Sequence, residues 1–387
     1  MKISIISGFF LPVPPVSGGA TEKSWYHLAR EFAARGHQVT FFSRRWPGFP
    51  QEETCDGIRH VRLNGFDHQR KLWRNLVLDF IWSWRIFFAL PTADIVVVHA
   101  VALPAWLGWL KPRAGRVVLM TGRMPKGQYR HYRHIARVLA PSSFVREKVI
   151  AENSSLAAVT RVTGYPIDWQ LMNRGNETEK SDAIVVGFIG RLHEEKGLRL
   201  FADAVKLVSK TPGLPGWRVL LCGPSNVARG GSGPGFRDEI VEKISSAITN
   251  DRLTVLEPQF NEQSLAEVYR RIGIFCYPSL AEQGETFGVA VAEAMAAGAA
   301  PVVSQLACFT DFVHHEKNGL VFDHHIPDAA AQLAAAIIRL LQDPALRGNL
   351  AQIASQDAQA YDYPHYADTL LADFSTLSAP LQSELSP

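Results

Sequence analysis

Four charged residues have the types and spacing most able to do chemistry: Arg191 and Lys196 in "GRLHEEKG", and Glu285 and Glu293 in "GETFGVAVAEAMAAG". The first pair follows an apolar run that reads as a strand ending at Gly190. Arginine supplies a planar fork and lysine a point charge, a combination that suits a diphosphate. Read alone, the same segment is more readily a solvated charged loop. The two acids stand eight positions apart around an almost wholly apolar stretch. With a helix starting near Phe287, Glu285 falls in the loop before it and Glu293 inside it. A helix rises only about 1.5 Å per residue, so both acids can reach one ligand of nucleotide size. A buried glutamate without a polar partner is costly, so Glu293 needs one. A ribose diol would serve, and a partner within the core is the alternative. Gly18 and Gly19 precede another predicted helix start, where bare backbone and the helix dipole accept an anion, or where the chain simply turns.

Other chemistries lack their patterns. "HEEKG" is not the zinc motif HExxH, because Gly197 stands where the second histidine must be. No GxxxxGK[ST] or DxD triplet occurs, and no metal site is expected. Cys55, Cys222, Cys276 and Cys308 lie far apart and read as buried thiols, which suits a reducing cytoplasm.

Elements that would position these residues follow from the apolar pattern. "KISIIS", a Gly/Pro-rich loop, "TEKSWYHLAREFAARGH" and "QVTFFS" read as strand, loop, helix and strand, with Thr21 as helix cap. Such a βαβ unit implies a parallel sheet and a right-handed crossover. The strand reading of the first residues is preferred to a signal peptide. "ADIVVVHA", "GRVVLMTG" and "RVLAPS" continue the series, the polar "WQLMNRGNETEKSDA" interrupts it, and a second series opens at "AIVVGFIG". The expected fold is therefore α/β: two tandem Rossmann-like doubly wound domains, 1–170 and 171–360, facing across a cleft. A C-terminal helix at about 361–378 would pack back on the first. Ligands in open α/β sheets bind at the carboxyl ends of strands.

Charge divides unevenly. Residues 1–168 hold 23 Lys+Arg against 11 Asp+Glu, a net +12, and the remainder nets −9. A basic first half suggests an anionic partner. "RKLWRNLVLDFIWSWRIFFAL" mixes Arg70, Lys71, Arg74 and Arg85 with Trp73, Trp82 and Trp84, a composition that lies well on anionic membrane surfaces. The alternative is aromatic core with flanking cations. Charges interrupt every apolar stretch long enough to span a bilayer, and nothing resembles a nucleic-acid-binding module.

"GRLHEEKG", followed about ninety residues later by "YPSLAEQGETFGVAVAEAMAAGAAPVVS", resembles the retaining family 4 glycosyltransferases of GT-B architecture, whose signature is an E-x7-E pair. The likeness runs from Gly18–Gly19 to the C-terminal helices. It implies that Arg191 and Lys196 hold the donor diphosphate and that Glu293 bonds the ribose. Glu285, with backbone N–H groups of Phe287, Gly288 and Val289, would contact sugar and phosphate. Gly19 would approach the phosphate, Gly223 and Pro224 would line the pocket, and Glu257–Phe260 would lie near the base. The co-substrate implied is a nucleotide diphosphate-sugar, with no cofactor and no metal. Transfer would proceed with retention by front-face attack. Where many members carry a histidine, this chain reads "MTGRMPKG", so His99 is the substitute expected in the catalytic set, and Thr121, Arg123 and Lys126 are expected on the acceptor or anion side. The acceptor implied is a glycan or lipid-linked molecule in cell-surface polysaccharide or glycolipid synthesis. The implied location is cytoplasmic, with peripheral contact at the inner membrane face. A nucleotide-sugar epimerase and a silent GT-B scaffold are the competing readings.

Overall fold

The computed structural model of the chain describes residues 1–16, 19–69, 71–175 and 183–378. These form two compact units. One is Met1–Pro166 with the chain from Tyr363 on, and the other is Ile167–Asp362.

Among the described residues the first unit holds an eight-stranded sheet. Its spatial order is Glu52–Cys55, Ile58–Leu63, Gln38–Arg44, Lys2–Ile6, Ile95–Val98, Arg116–Met120, Arg137–Ala140 and Thr160–Val162. All pairings are parallel except the outermost, Glu52–Cys55 on Ile58–Leu63. Central strands such as "IVVV" are buried along their whole length, as a sheet covered on both faces requires. The antiparallel strand "EETC" ends the sheet with exposed, charged side chains, which discourages further pairing. Cys55 sits there in the open, so the expectation of four buried thiols fails at this one position.

Helix Ala20–Ala34 buries Trp25, Leu28, Ala29 and Phe32. It starts after Gly19 with no side-chain cap, so Thr21 lies inside the first turn rather than before it. The C-terminal helix Tyr363–Ser378 belongs to this unit. Phe374 meets Phe32 edge-on at 6.1 Å, and Asp368 and Asp373 pair with Arg35 at 2.5 Å and Arg137 at 2.7 Å.

The second unit carries a six-stranded parallel sheet ordered Leu253–Leu256, Trp217–Cys222, Ile184–Ile189, Ile274–Tyr277, Ala300–Ser304 and Leu320–Phe322. It begins at Ile167, which bridges to Asp362. Asp168 caps the short helix Trp169–Met172 through the Leu171 amide at 2.8 Å. The start of the polar stretch expected to link the domains is thus structured in this unit, and residues 176–182 of it lie outside the described residues.

In each sheet the strand order turns back once: between Lys2–Ile6 and Ile95–Val98 in the first, and between Ile184–Ile189 and Ile274–Tyr277 in the second. Helices cross to opposite faces there, which opens a crevice at the strands' carboxyl ends. The segments after those strands are Ser7–Gly19 and His99 in the first unit, and Gly190–Gly197 and Pro278–Gly288 in the second.

Candidate functional site

The second unit brings the predicted Arg–Lys loop and the first acid together at its crevice. The Lys196 ammonium donates to Glu285 Oε2 at 2.6 Å, with both side chains nearly buried. The loops that carry them are stitched by backbone. The Leu280 amide donates to the Glu195 carbonyl at 2.7 Å, and the Ser279 hydroxyl reaches Glu285 Oε2 at 3.3 Å. Lys196 Nζ also stands 5.4 Å over the Tyr277 ring. Burial, then the neighbouring Glu285 charge, pushes the Tyr277 phenol well above its usual range, so it remains a protonated donor to that carboxylate. Arg191, half-exposed, donates to Glu195 at 2.7 Å and to the Gly230 carbonyl at 2.9 Å. A lysine has three N–H donors and an arginine five, so one carboxylate does not exhaust either cation.

The helix after Glu285 begins at Val289, two residues later than expected. Gly288 has φ +92°, and a Cβ there would sit 2.5 Å from the Phe309 ring, so the chain turns into the helix only with glycine. Phe287 is buried and stacks on Phe312 at 4.5 Å, which leaves its backbone, not its side chain, for any ligand. The Val291 amide donates to the Gly288 carbonyl at 2.9 Å, so the Val289 and Ala290 amides are the first-turn donors that present the helix's positive pole.

Glu293 is buried inside that helix. Tyr269 donates its hydroxyl to Glu293 Oε2 at 2.9 Å, and burial together with this charge raises the tyrosine's pKa well above normal. The core therefore already supplies a polar partner, and a ribose is not required to explain the burial. Gly223 marks a close approach of strand ends, since a Cβ would lie 1.8 Å from the Gly190 carbonyl oxygen at φ +148°. The Pro224 carbonyl accepts the Leu192 amide at 2.9 Å. Phe260 is 59% exposed, with the Arg229 guanidinium 4.2 Å over its ring. Tyr277, Ser279 and Tyr269 escaped the sequence reading. "YPS" at the end of a predicted strand was the signal for the first two; Tyr269 had none, because its partner is 24 residues away on another helix.

In the first unit Gly18 lies outside the described residues, and Gly19 caps helix Ala20–Ala34. Glu22, which the sequence reading missed, is buried in that helix's first turn. Burial pushes its carboxyl up, against its own backbone hydrogen bond and the Arg123 charge. The His99 ring packs edge-on against Trp25 at 5.1 Å, and burial pushes its pKa down to about 3. Its Nε2 has no hydrogen-bond partner among the described residues. A proton-transfer role for His99 near neutral pH does not fit this environment. The buried Thr121 hydroxyl is 2.8 Å from Tyr129 Oη and so is engaged within the unit. Arg123 and Lys126 are exposed.

Comparison with known proteins adds to this geometry. Residues 172–357 match the family model for group 1 glycosyl transferases, and residues 18–160 match that for glycosyltransferase family 4. Curated relatives include the D-inositol 3-phosphate glycosyltransferase of Corynebacterium urealyticum, 31% identical over 53% of this chain and 45% of that protein. That of Stackebrandtia nassauensis is 28% identical over 62% and 59%. The chain spans roughly half the length of the curated relatives it matches. Among solved structures, sucrose-phosphate synthase from Thermosynechococcus elongatus superposes with a TM-score of 0.75 at 22% identity, covering 97% of this chain and 98% of that one. Anabaena HepE in complex with UDP gives 0.72 at 18%, covering 97% and 100%. These likenesses establish a two-domain Rossmann-like fold of GT-B type.

Proposed function

The chain belongs to glycosyltransferase family 4, and from that membership we propose that it moves a sugar from a nucleotide diphosphate-sugar to an acceptor. The observation that carries this is the meeting of Lys196 and Glu285 at the strand-order reversal of the second unit, 2.6 Å apart, beside Arg191 and the start of helix Val289–Ala296. Arg191, Lys196 and the first-turn amides receive the diphosphate, whose charge grows as the sugar leaves. Glu285, held by Lys196, Ser279 and Tyr277, faces the sugar. Glu293, oriented by Tyr269, accepts from the ribose. Gly223 and Pro224 shape the wall, and Phe260 lies toward the base.

In the proposed reaction the bond from the anomeric carbon to phosphate oxygen breaks, and the bond to the acceptor oxygen forms on the same face. The acceptor's proton passes to the leaving diphosphate, so configuration is retained and no metal is needed at the diphosphate. Structurally similar proteins have been solved with UDP-glucose, so hexose donors are the first to test. A thermal-shift screen across nucleotide sugars finds the donor, because a bound ligand raises apparent stability by mass action. Product analysis then decides between classes. Nucleoside diphosphate release in chelator supports transfer, interconversion of sugars indicates an epimerase, and neither indicates a silent scaffold. The anomeric coupling of the product tests retention.

For the acceptor we propose a lipid-linked or cell-surface glycan reached from an anionic membrane, on the cytoplasmic side that the thiol usage suits. Among the described residues no helix is long and apolar enough to cross a membrane. Helix Leu72–Ala89, however, presents Trp73, Leu76, Val77, Phe80 and Phe88 to solvent at helical spacing, from 47% to 76% exposed, while Trp82 and Ile86 are buried on the opposite side. Lys71, Arg74 and Arg85 border this stripe and match an anionic surface, while Arg70 lies outside the described residues. Vesicles rich in phosphatidylglycerol should sediment with the protein at low salt, and Trp73→Glu with Phe80→Glu should abolish it. Equal sedimentation with neutral vesicles, or none, contradicts the proposal.

A further inference from the structure

A second cluster in the second unit lies outside the group that meets at Lys196 and Glu285. We propose that Glu282, His324 and His325 form a binding site for a transition-metal dication of the Zn²⁺ class. Their ligand atoms all lie within 4.8 Å of one another. The Nε2 atoms of His324 and His325 stand 2.8 Å and 2.9 Å from the same oxygen, Glu282 Oε1. Two imidazoles and one carboxylate are the donor set of zinc rather than of magnesium or calcium, which prefer all-oxygen sites.

The elements hold these groups for that purpose. His324 and His325 follow directly on Asp323 at the carboxyl end of strand Leu320–Phe322. The His324 side chain is 4% exposed, which fixes its ring, whereas Glu282 and His325 are open to solvent and give an ion its entry path and room for a water ligand. Asp323 Oδ1 lies 3.1 Å from His325 Nδ1, so a carboxylate orients this imidazole with its other nitrogen toward the cluster. That carboxylate–histidine arrangement is the usual outer shell of a zinc-bound histidine. Glu282 sits three residues before Glu285 on the loop after strand Ile274–Tyr277, so an ion here ties that loop to the last strand of the sheet. No HExxH or CxxC pattern announces the site, because its ligands come from segments more than forty residues apart. The adjacent pair "HH" was the one trace of it.

The inference does not depend on the transferase reading, and its test reads metal binding alone. Tag-free full-length chain, stripped with chelator, is titrated with ZnCl₂ by calorimetry and with CoCl₂ by visible absorption. The expected result is one saturable zinc event and an intense cobalt spectrum, with little response to MgCl₂. Glu282→Gln and His325→Ala, both exposed and so expected to fold, should weaken zinc by more than about 10-fold, and Asp323→Asn by about 10-fold. Absence of the zinc event, or wild-type affinity in both Glu282→Gln and His325→Ala, would overturn the proposal.

Discussion

In the second unit the crevice at the strand-order reversal is furnished with partnered groups: Lys196 pairs with Glu285 and Arg191 with Glu195, and Glu293 accepts from the Tyr269 hydroxyl. In the first unit the matching position holds groups driven toward neutrality. His99 is a buried imidazole with its pKa near 3, and Glu22 is a buried carboxyl whose pKa is raised. The two sheets share a winding pattern, so topology alone does not distinguish them. What differs is whether a buried ionisable group has a partner in direct contact: Lys196 meets Glu285 at 2.6 Å, whereas His99 Nε2 has no hydrogen-bond partner among the described residues. Direct pairing supplies the second crevice with cations beside carboxylates, an arrangement suited to a polyanion, while desolvation pushes His99 down and Glu22 up, each toward its neutral form.

The sharpest way to break this contrast is Lys196→Ala. It removes the cation opposite Glu285 and should lower donor turnover by about 10²–10³-fold. It should also destabilise the second unit by about 3 kcal/mol or more, since a buried carboxylate is left unpaired. Adding Glu285→Gln should restore stability but not turnover. Rates of nucleoside diphosphate release and denaturant melts separate the two effects.

Acid probes the other side. His60, buried beside Arg62, has its pKa lowered to about 4, chiefly by burial, and His99 to about 3. Each folded-state value lies below the unfolded value of about 6.5, so the unfolded chain takes up protons first. Stability conferred by these neutral imidazoles is complete above about pH 6.5 and is lost as pH falls toward 4. For His60 alone the loss approaches roughly 3 kcal/mol by pH 4. Hydrogen exchange followed by mass spectrometry should show peptides from residues 1–166 losing protection before those from 184–362. The reverse order would refute the assignment.

A smaller effect is expected from Glu293→Gln, which keeps a carbonyl for Tyr269 but would lose the charge-assisted bond proposed to the ribose. Nucleotide affinity should fall about 10-fold, read by calorimetry. Phe260→Ala, at an exposed ring proposed to lie toward the base, should change affinity by only a few-fold, and a larger loss would mean that the base stacks on it.

Much of the fold was legible because strands buried on both faces must read as unbroken apolar runs, as "IVVV" and "IVVGFI" do. That Lys196 and Glu285 would serve one pocket was implied by the family resemblance, while their direct ion pair was not foreseen. What escaped depends on long-range neighbours. Tyr269 reaches Glu293 from another helix, and Glu22 becomes unusual only because its surroundings exclude water. His99 looked like a strand-end histidine open to a ligand, and nothing in "ADIVVVHA" announced Trp25 over its ring. Cys55 went astray because a thiol in an alternating segment gives no sign that its strand is the sheet's edge.

On the proposed function, the crevice of the second unit binds a nucleoside diphosphate through Arg191, Lys196 and Glu293. Calorimetric titration of UDP, GDP and ADP into wild-type protein, Lys196→Met and Glu293→Gln tests it most directly. The expected result is one saturable site for at least one nucleotide, weakened about 10-fold or more in each variant. Absence of binding by all three, or wild-type affinity in both variants, would contradict it.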